Sequence, residues 1–578
     1  MNNSINIQAA KLATLPRWRS QLLFVLLLFG MAALIARAVY LQSIHNNFLQ
    51  QKGDARSSRI MDISAHRGMI TDRNGEPLAI STPVESIWVS PQDVEATPQQ
   101  VIQLAQIMGM DLKEVKSRLF DTTRDFVYLQ RQLPPEKAEK IVKLGIPGVS
   151  LRREYRRYYP GGDITAHLLG FTDVDDNGQE GLELALQNQL GGKAGSQRVI
   201  KDRKGHIVED VTSIRAPKPG SNLALSIDSK IQYLAYREIK LAVEQHNAKA
   251  GSIVVLDAQS GEVLALANWP SYNPNNRAKT NLKVLRNHAV TDLFEPGSTL
   301  KPFTVAAALE AGKLTPQTII NTENGVMLVG RHKIHDTHPE ETLTVAQVIQ
   351  KSSNVGSAKI ALSLPPESIW QSLNESGFGT QAGSGFPGEA AGRLRDYKKW
   401  RPIEQATISY GHGISVSLLQ LARAYTIFSN NGELMPVSWL KLEVPPESGK
   451  KVYSDATVRE ILNMLELAVL PGGTAPLAQI NGYSVAGKTG TSHKLEGGRY
   501  INRYISSFVG LAPASKPRLV VAVMINEPSN GQHYGGMVAA PIFSNVMAAA
   551  LRLLNVPNDT QLGNVLSPPL GDFVKEEV

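Results

Sequence analysis

The chain has 578 residues, 42% of them hydrophobic, enough for several cores and for roughly three to four domains. It contains no cysteine, which excludes a disulfide frame and any thiolate metal site, although large exported domains fold without such bridges. The net charge of +8 comes without a dense Lys/Arg run or a nucleic-acid module motif. That argues against a nucleic-acid partner and for a diffusely basic surface facing anionic lipid or cell-wall carboxylates.

Residues 1–20 carry Lys11, Arg17 and Arg19 and no acid, and residues 22–41 are apolar except for Arg37. About twenty helical residues span about 30 Å, one hydrocarbon core. Arg37 can reach the far interface, and Tyr40 supplies an aromatic anchor there. The basic flank predicts a cytoplasmic tail over 1–20, a transmembrane anchor over 21–41 in contact with membrane lipid, and the remainder outside. A cleavable signal peptide competes, with 22–35 as its apolar stretch and Ala36-Arg37-Ala38 as a small-x-small cleavage site. Apolar character resumes after Arg37, which favours the uncleaved anchor.

Residues 42–60 are polar and read as a linker. In 67–79, Asn74-Gly75 lies between two short strand patterns, a hairpin signal. Helices are expected over 101–108 and 135–144. Three Gly-punctuated stretches follow, at 157–161, 167–170 and 178–183. Asp202-Arg203-Lys204-Gly205 reuses the turn chemistry of Asp72-Arg73-Asn74-Gly75 with different flanks, so it is no repeat. Nothing in 61–216 assembles catalytic groups, and the region reads as an α+β pedestal for spacing and docking.

Pro217-Lys218-Pro219-Gly220 marks a boundary. Beyond it, 223–227 reads as a strand, 231–243 as a helix, and 251–267 as two strands around Gln259-Ser260-Gly261. Helical patterns cover 344–351, 418–428 and 458–469. A strand over 483–486 precedes Lys488, and 507–512 with 519–525 form a strand pair. The expected fold is α/β (α+β), a sheet with helices on it over about 217–556. The tail from Pro557 is polar and reads as loose.

The chemistry gathers at Glu295-Pro296-Gly297-Ser298-Thr299-Leu300-Lys301-Pro302-Phe303. Gly297 marks a turn, and the Ala-rich run from Phe303 to Gly312 reads as a helix, with Ser298 as its expected N-cap and Pro302 in its first turn. Lys301 then lies one turn from Ser298 on the same face. A buried lysine can take the proton of a serine hydroxyl, and N–H groups at a helix start can stabilise developing negative charge. Ser-x-x-Lys is a weak pattern alone. Ser438 and Lys441 also match, in a stretch that reads as a strand and so points them to opposite faces; Ser448 and Lys451 match in a polar loop. Only the first copy opens a helix. Ser352-Ser353-Asn354 and Lys488-Thr489-Gly490-Thr491 follow in order, and Lys-Thr-Gly occurs once. His332, His335 and His338, spaced by three, fall at a turn between strands, where that spacing alternates faces; no metal site is expected there. No cofactor is implied.

The ordered set of three motifs is the signature of penicillin-binding proteins and serine β-lactamases. The chain resembles class B penicillin-binding proteins, and most closely the division-specific peptidoglycan D,D-transpeptidases of Gram-negative bacteria. The resemblance extends to 67–79, 157–161 and 178–183, to Pro270-Ser271-Tyr272-Asn273-Pro274-Asn275, to Glu404-Gln405-Ala406-Thr407, to Tyr410-Gly411-His412-Gly413 and to Tyr534-Gly535-Gly536. It implies a largely antiparallel, β-lactamase-like sheet with helices on both faces. It implies that Ser298 attacks the carbonyl between two terminal D-alanines of a stem peptide, with Lys301 as base. Ser352 and Lys488 would return the proton to the leaving group, and Asn354 would orient the peptide. Lys488, Thr489 and Thr491, around Gly490, would hold the terminal carboxylate, with the N–H groups of Ser298 and Thr491 as the oxyanion hole. The implied partners are peptidoglycan stem peptides (donor and amine acceptor), β-lactams, a membrane glycan polymerase and other division proteins, at the inner membrane of the septum with the bulk periplasmic. Two alternatives stay open: a serine β-lactamase or β-lactam sensor, and a non-catalytic scaffold of the division machinery.

Overall fold

The computed structural model describes residues 17–44, 58–201, 207–278, 280–444, 446 and 448–561. Most of the basic tail, most of the linker, the turn at 202–205 and the tail from 562 lie outside the described residues. The first described element is the helix Arg17–Val39, which buries none of its residues. Among the described residues it belongs to the one helical stretch long and apolar enough to cross a membrane.

Two compact units follow. The smaller takes in 84–154 and 194–218, together with the chain before 65. Its helices Pro98–Met108 and Pro135–Val142 begin and end near the expected positions, and a further helix, Leu112–Leu119, was not expected from the sequence. Thr97 caps the first in a reciprocal box with Gln100, and Gly109 closes it in the left-handed region. Val101, Leu104 and Met108 of that helix meet Val115, Leu119, Leu129 and Ile141 in one core. The strand Val127–Leu133 pairs antiparallel with residues 85–89, and Ser58–Ile63, Gly195–Lys201 and Ile207–Arg215 form a three-stranded antiparallel sheet.

The larger unit takes in 65–83, 155–193 and 219–578. Compactness therefore divides 61–216 into interleaved stretches rather than keeping it as one block. Asn74-Gly75 makes the expected hairpin between Ile70–Thr71 and the start of Pro77–Val89. Two of the Gly-punctuated stretches, 157–161 and 178–183, meet at Glu183, whose side chain is 0% exposed. Arg67 Nε donates to one carboxylate oxygen at 2.7 Å and Arg157 Nε to the other at 2.6 Å. Breaking such a buried pair by removing one partner costs about 3–5 kcal/mol, because it strands a charge without water.

The central sheet has five strands in the order Val263–Trp269, Ala250–Asp257, Leu519–Asn526, Arg499–Ala512, Ala486–Glu496, antiparallel throughout. Its inner strands are buried on both faces, and alternation sends successive residues to two cores. Val254, Leu256, Val520 and Ala522 meet the helices Lys301–Glu310, Val345–Lys351 and Leu418–Ser429. Ile253, Val255, Val521 and Val523 meet Ser229–Gln245 and Ala540–Leu553 on the other side. Helices thus cover both faces. Phe303, 0% exposed, packs edge-on to Phe378 and Tyr425; truncating it to alanine would cost about 3–5 kcal/mol.

Several local expectations differ. Of 223–227 only Leu223–Ala224 is strand, paired in parallel with Ile70–Thr71. Around Ser438 there are isolated bridges and no strand; Ser438 Oγ donates to Leu440 O, while Lys441 Nζ donates to Arg73 O. The tail is not loose at its start: Asp559 accepts from Ser484 N at 2.8 Å and Ser515 Oγ at 2.6 Å.

Candidate active site

The helix Lys301–Glu310 is buried from Lys301 to Ala308, as its nearly all-apolar sequence requires. A 3₁₀ turn, Gly297–Leu300, leads straight into it. Ser298 is therefore not an N-cap, as the sequence suggested; Pro296 and Leu300 hold those positions. Gly297, at φ 57°, starts the turn one residue earlier and brings Ser298 inside it. Pro302 falls in the first helical turn as expected. The chain at Tyr410-Gly411-His412-Gly413 lies directly against this turn: Gly297 N donates to Gly411 O at 3.3 Å, and a Cβ on Gly411 would sit 2.1 Å from Gly297 O.

Ser298, Lys301, Ser352, Asn354, Lys488, Thr489 and Thr491 are all buried, and the two lysines are 0% exposed. Lys301 Nζ donates to Ser298 Oγ at 3.0 Å and to Ser352 Oγ at 3.1 Å, and also to the Ser352 carbonyl. Lys488 Nζ donates to the same Ser352 Oγ at 3.0 Å and to Thr489 Oγ1 at 3.1 Å. Thr489 Oγ1 in turn meets Thr474 Oγ1 at 2.8 Å. One line of hydrogen bonds therefore runs from Ser298 through both lysines to Thr474.

Ser352 closes the helix Val345–Lys351 in the left-handed conformation, φ 61° and ψ 36°. The next helix, Asn354–Leu362, starts two residues on, so the Ser352-Ser353-Asn354 turn is folded sharply between helices. Asp336 holds that turn from outside. It accepts from Ser353 Oγ at 2.5 Å, Asn354 N at 2.6 Å and Val355 N at 2.9 Å, a carboxylate at a helix start. Asn354 Nδ2 donates to His335 O at 3.3 Å. Nothing in the sequence around Asp336 points to this use. His332–His335 is a hairpin strand paired with Val326–Val329, and both of its histidines are exposed. Among the described residues no three His, Cys, Asp or Glu side chains are grouped to hold a metal ion.

Lys488 to Thr491 lie within the edge strand Ala486–Glu496, where the sequence reading ended its strand at 486. Its glycines, which weaken a strand signal, are close approaches. A Cβ on Gly490 would lie 2.5 Å from Ser507 Oγ and 2.7 Å from Pro296 O. Thr491 Oγ1 accepts from Gly535 N at 2.9 Å, which places Tyr534-Gly535-Gly536 on this strand. Ser492 Oγ donates to Glu295 O at 2.9 Å, tying the strand to the residue before the Ser298 turn. Glu295 accepts from Gly413 N at 2.9 Å and from Tyr500 OH at 3.0 Å, and burial raises its pKa. His412 is pushed down to about 4, mainly by burial, with the Lys301 charge adding to it. Glu404, the carboxylate between the second and third motifs, accepts from Arg401 N at 2.7 Å and pairs with Arg395 at 3.0 Å.

A serine touching a lysine at a helix start, with a second serine bridging to a second lysine on a strand edge, has the parts of a serine–lysine acyl-transfer centre. The chain belongs to the penicillin-binding protein transpeptidase family. Residues 251–548 match the family described as penicillin binding protein transpeptidase domain, and 62–225 match the penicillin-binding protein dimerisation domain. The chain is 44% identical to a probable peptidoglycan D,D-transpeptidase, PenA, of Neisseria meningitidis over 530 residues, covering 91% of each chain. It is 42% identical to the peptidoglycan D,D-transpeptidase FtsI of Escherichia coli over 549 residues, 94% of this chain and 93% of the relative. Among solved structures, the apo transpeptidase domain of Burkholderia pseudomallei penicillin-binding protein 3 superposes with a TM-score of 0.54 at 50% identity, over 58% of this chain and 98% of that one.

Proposed function

We propose that the chain is a membrane-anchored peptidoglycan D,D-transpeptidase that cross-links stem peptides at the division septum, and that 217–556 carries the reaction. The observation that supports this most directly is the line Ser298–Lys301–Ser352–Lys488. Lys301 takes the proton of Ser298 as Oγ bonds to the carbonyl carbon between the two D-alanines. The oxyanion that forms is met by the N–H groups of Ser298 and Thr491, each worth about 3 kcal/mol when preorganised. Ser352 passes the proton from Lys301 to the departing D-alanine nitrogen as the C–N bond breaks, and Lys488 holds the relay in place. Asn354 orients the peptide amide. Lys488, Thr489 and Thr491 hold the terminal carboxylate beside the flat backbone of Gly490. An amine of a neighbouring stem then attacks the ester, gives up a proton through the same relay, and frees Ser298.

The helix Arg17–Val39 is the anchor in this reading, with the bulk of the chain in the periplasm. The anchor and the 61–216 module form the surface for a membrane glycan polymerase and other division proteins. The test is a mass measurement on the intact protein after treatment with a β-lactam. One adduct is expected, on Ser298, absent in Ser298→Ala and present in Ser438→Ala. An adduct elsewhere, or none, rejects the reading.

A further inference from the structure

Past Thr491 the central sheet ends over a cavity of about 730 Å³ to which none of the site residues above contributes. Its walls are 247–249, before the strand Ala250–Asp257; 502–504, early in Arg499–Ala512; and 527–533, after Leu519–Asn526. These walls are tied together. Ser529 Oγ donates to Asn247 O at 2.7 Å, Ser529 N to His246 O at 3.0 Å, and Asn530 Nδ2 to Gln245 O at 3.1 Å. Tyr504 and His533 stack face to face, centroids 3.9 Å apart, and make an aromatic side.

Glu527 is the only acid among the lining residues. Its carboxylate takes three cations: Lys249 at 3.3 Å, Arg503 at 3.0 Å, and Lys494. Glu527 is held at φ 56°, a sparse conformation for a residue other than glycine. Its side chain is 13% exposed, while Lys249 and Arg503 are 62% and 57% exposed. Of the three cations, Lys249 and Arg503 line the cavity and Lys494 does not, so the wall itself carries one positive charge in excess of Glu527. A cleft with such an excess draws anions, and the exposed guanidinium and ammonium groups remain open to a second carboxylate.

The place of the cavity is informative. In the strand register Ser506 faces Thr491, and Tyr504 faces His493 two residues further on, about 7 Å along the ladder. Ser506 Oγ donates to His533 O at 2.5 Å, linking the aromatic side to the partner of Thr491. In the transpeptidase reading, on which this inference rests, the leaving D-alanine departs from the Lys488–Thr491 side. The acceptor amine must enter where that nitrogen left, so the acceptor strand approaches from the same side. As a neighbouring stem ending in D-alanine, it carries a C-terminal carboxylate as well as its amine. We infer that this cavity binds the acceptor stem peptide through a carboxylate seated against Lys249 and Arg503.

The test uses the full chain in detergent, a D-Ala-D-Ala donor, and two acceptor peptides with the same amine, one ending in a free carboxylate and one in a carboxamide. The carboxylate acceptor should have a KM about tenfold below that of the amide. In the double variant Lys249→Gln/Arg503→Gln, Glu527 keeps Lys494 and the local excess is gone. The KM of the carboxylate acceptor should then rise about tenfold, to that of the amide. Equal KM values in the wild type, or an equal loss for both acceptors in the variant, overturn the inference. Binding of the two peptides to the β-lactam-blocked protein makes the same comparison without turnover, and equal affinity there overturns it too. Failure of Ser298 to form a β-lactam adduct is a different result. It removes the transpeptidase reading, and carboxylate-over-amide binding to the unreacted protein still decides whether the cavity is an anion site.

Discussion

The amino groups of Lys301 and Lys488 lie on either side of one oxygen, Ser352 Oγ, at 3.1 and 3.0 Å. The two lysines lie far apart in sequence, one at a helix start and one on a sheet edge. Neither is exposed, so the hydrogen-bonded line between them is shielded from bulk solvent. That line depends on a single hydroxyl whose backbone is in the left-handed region.

Ser352→Gly keeps that backbone and removes the hydroxyl. Acylation by a β-lactam, followed by stopped-flow or mass spectrometry, should slow by about 10²- to 10⁴-fold, the usual contribution of positioned proton transfer. Thermal unfolding should shift little, because glycine favours φ above zero. A wild-type acylation rate in this variant would remove Ser352 from the relay.

Glu404→Gln separates a deacylating base from a structural carboxylate. Glu404 is held down to about 2 by the Arg401 backbone N–H first, then by the Arg401 and Arg395 side chains. Its folded pKa lies below its ordinary value of 4.5, so the stability it contributes is present above about pH 4.5 and fades as pH falls towards 2. The variant should lose about 0.5–2 kcal/mol of stability at neutral pH, the range for a lost helix cap. The lifetime of the β-lactam adduct should not change. A sharply longer lifetime would make Glu404 the base that activates water.

His167 and His412 give the fold a second pH dependence. Burial pushes both down to about 4 from the ordinary 6.5. The unfolded chain binds their protons first, so stability is full above about pH 6.5 and falls as pH drops towards 4. His412→Phe should flatten part of that fall. Chemical denaturation at pH 7 and pH 5 measures it; an equal loss in wild type and variant excludes His412 as a source.

Glu183→Gln should destabilise the larger unit by about 3–5 kcal/mol, since two guanidiniums would lose their charged partner without gaining water. Urea melts report the loss. A change below about 1 kcal/mol would mean that water reaches Arg67 and Arg157.

The three motifs were legible because each is short, ordered and tied to a chemistry that leaves few substitutes. Ser298 and Lys301 share a helical face, and helix periodicity alone brings them together. The antiparallel strand pairs at 251–267 and 507–525 showed in their apolar runs and turn residues. What could not be read is set by contacts distant in sequence. Lys488 to Thr491 belong to a strand because residues 506–509 pair with them, against the local signal of Gly487 and Gly490. Asp336 gains its meaning from a helix that starts eighteen residues later, and no pattern around it says so. Ser298 fails as an N-cap because Gly297 has already begun the turn, a matter of one backbone angle.

The glycines around the site limit how the chain can change. At Gly411, Gly490, Gly535 and Gly536 an added methyl would meet backbone oxygen at between 2.1 and 2.7 Å. Each of those oxygens belongs to a segment that fixes Ser298 or the Lys488–Thr491 strand. A population of such chains under a covalent inhibitor therefore has little freedom to narrow its pocket from these walls.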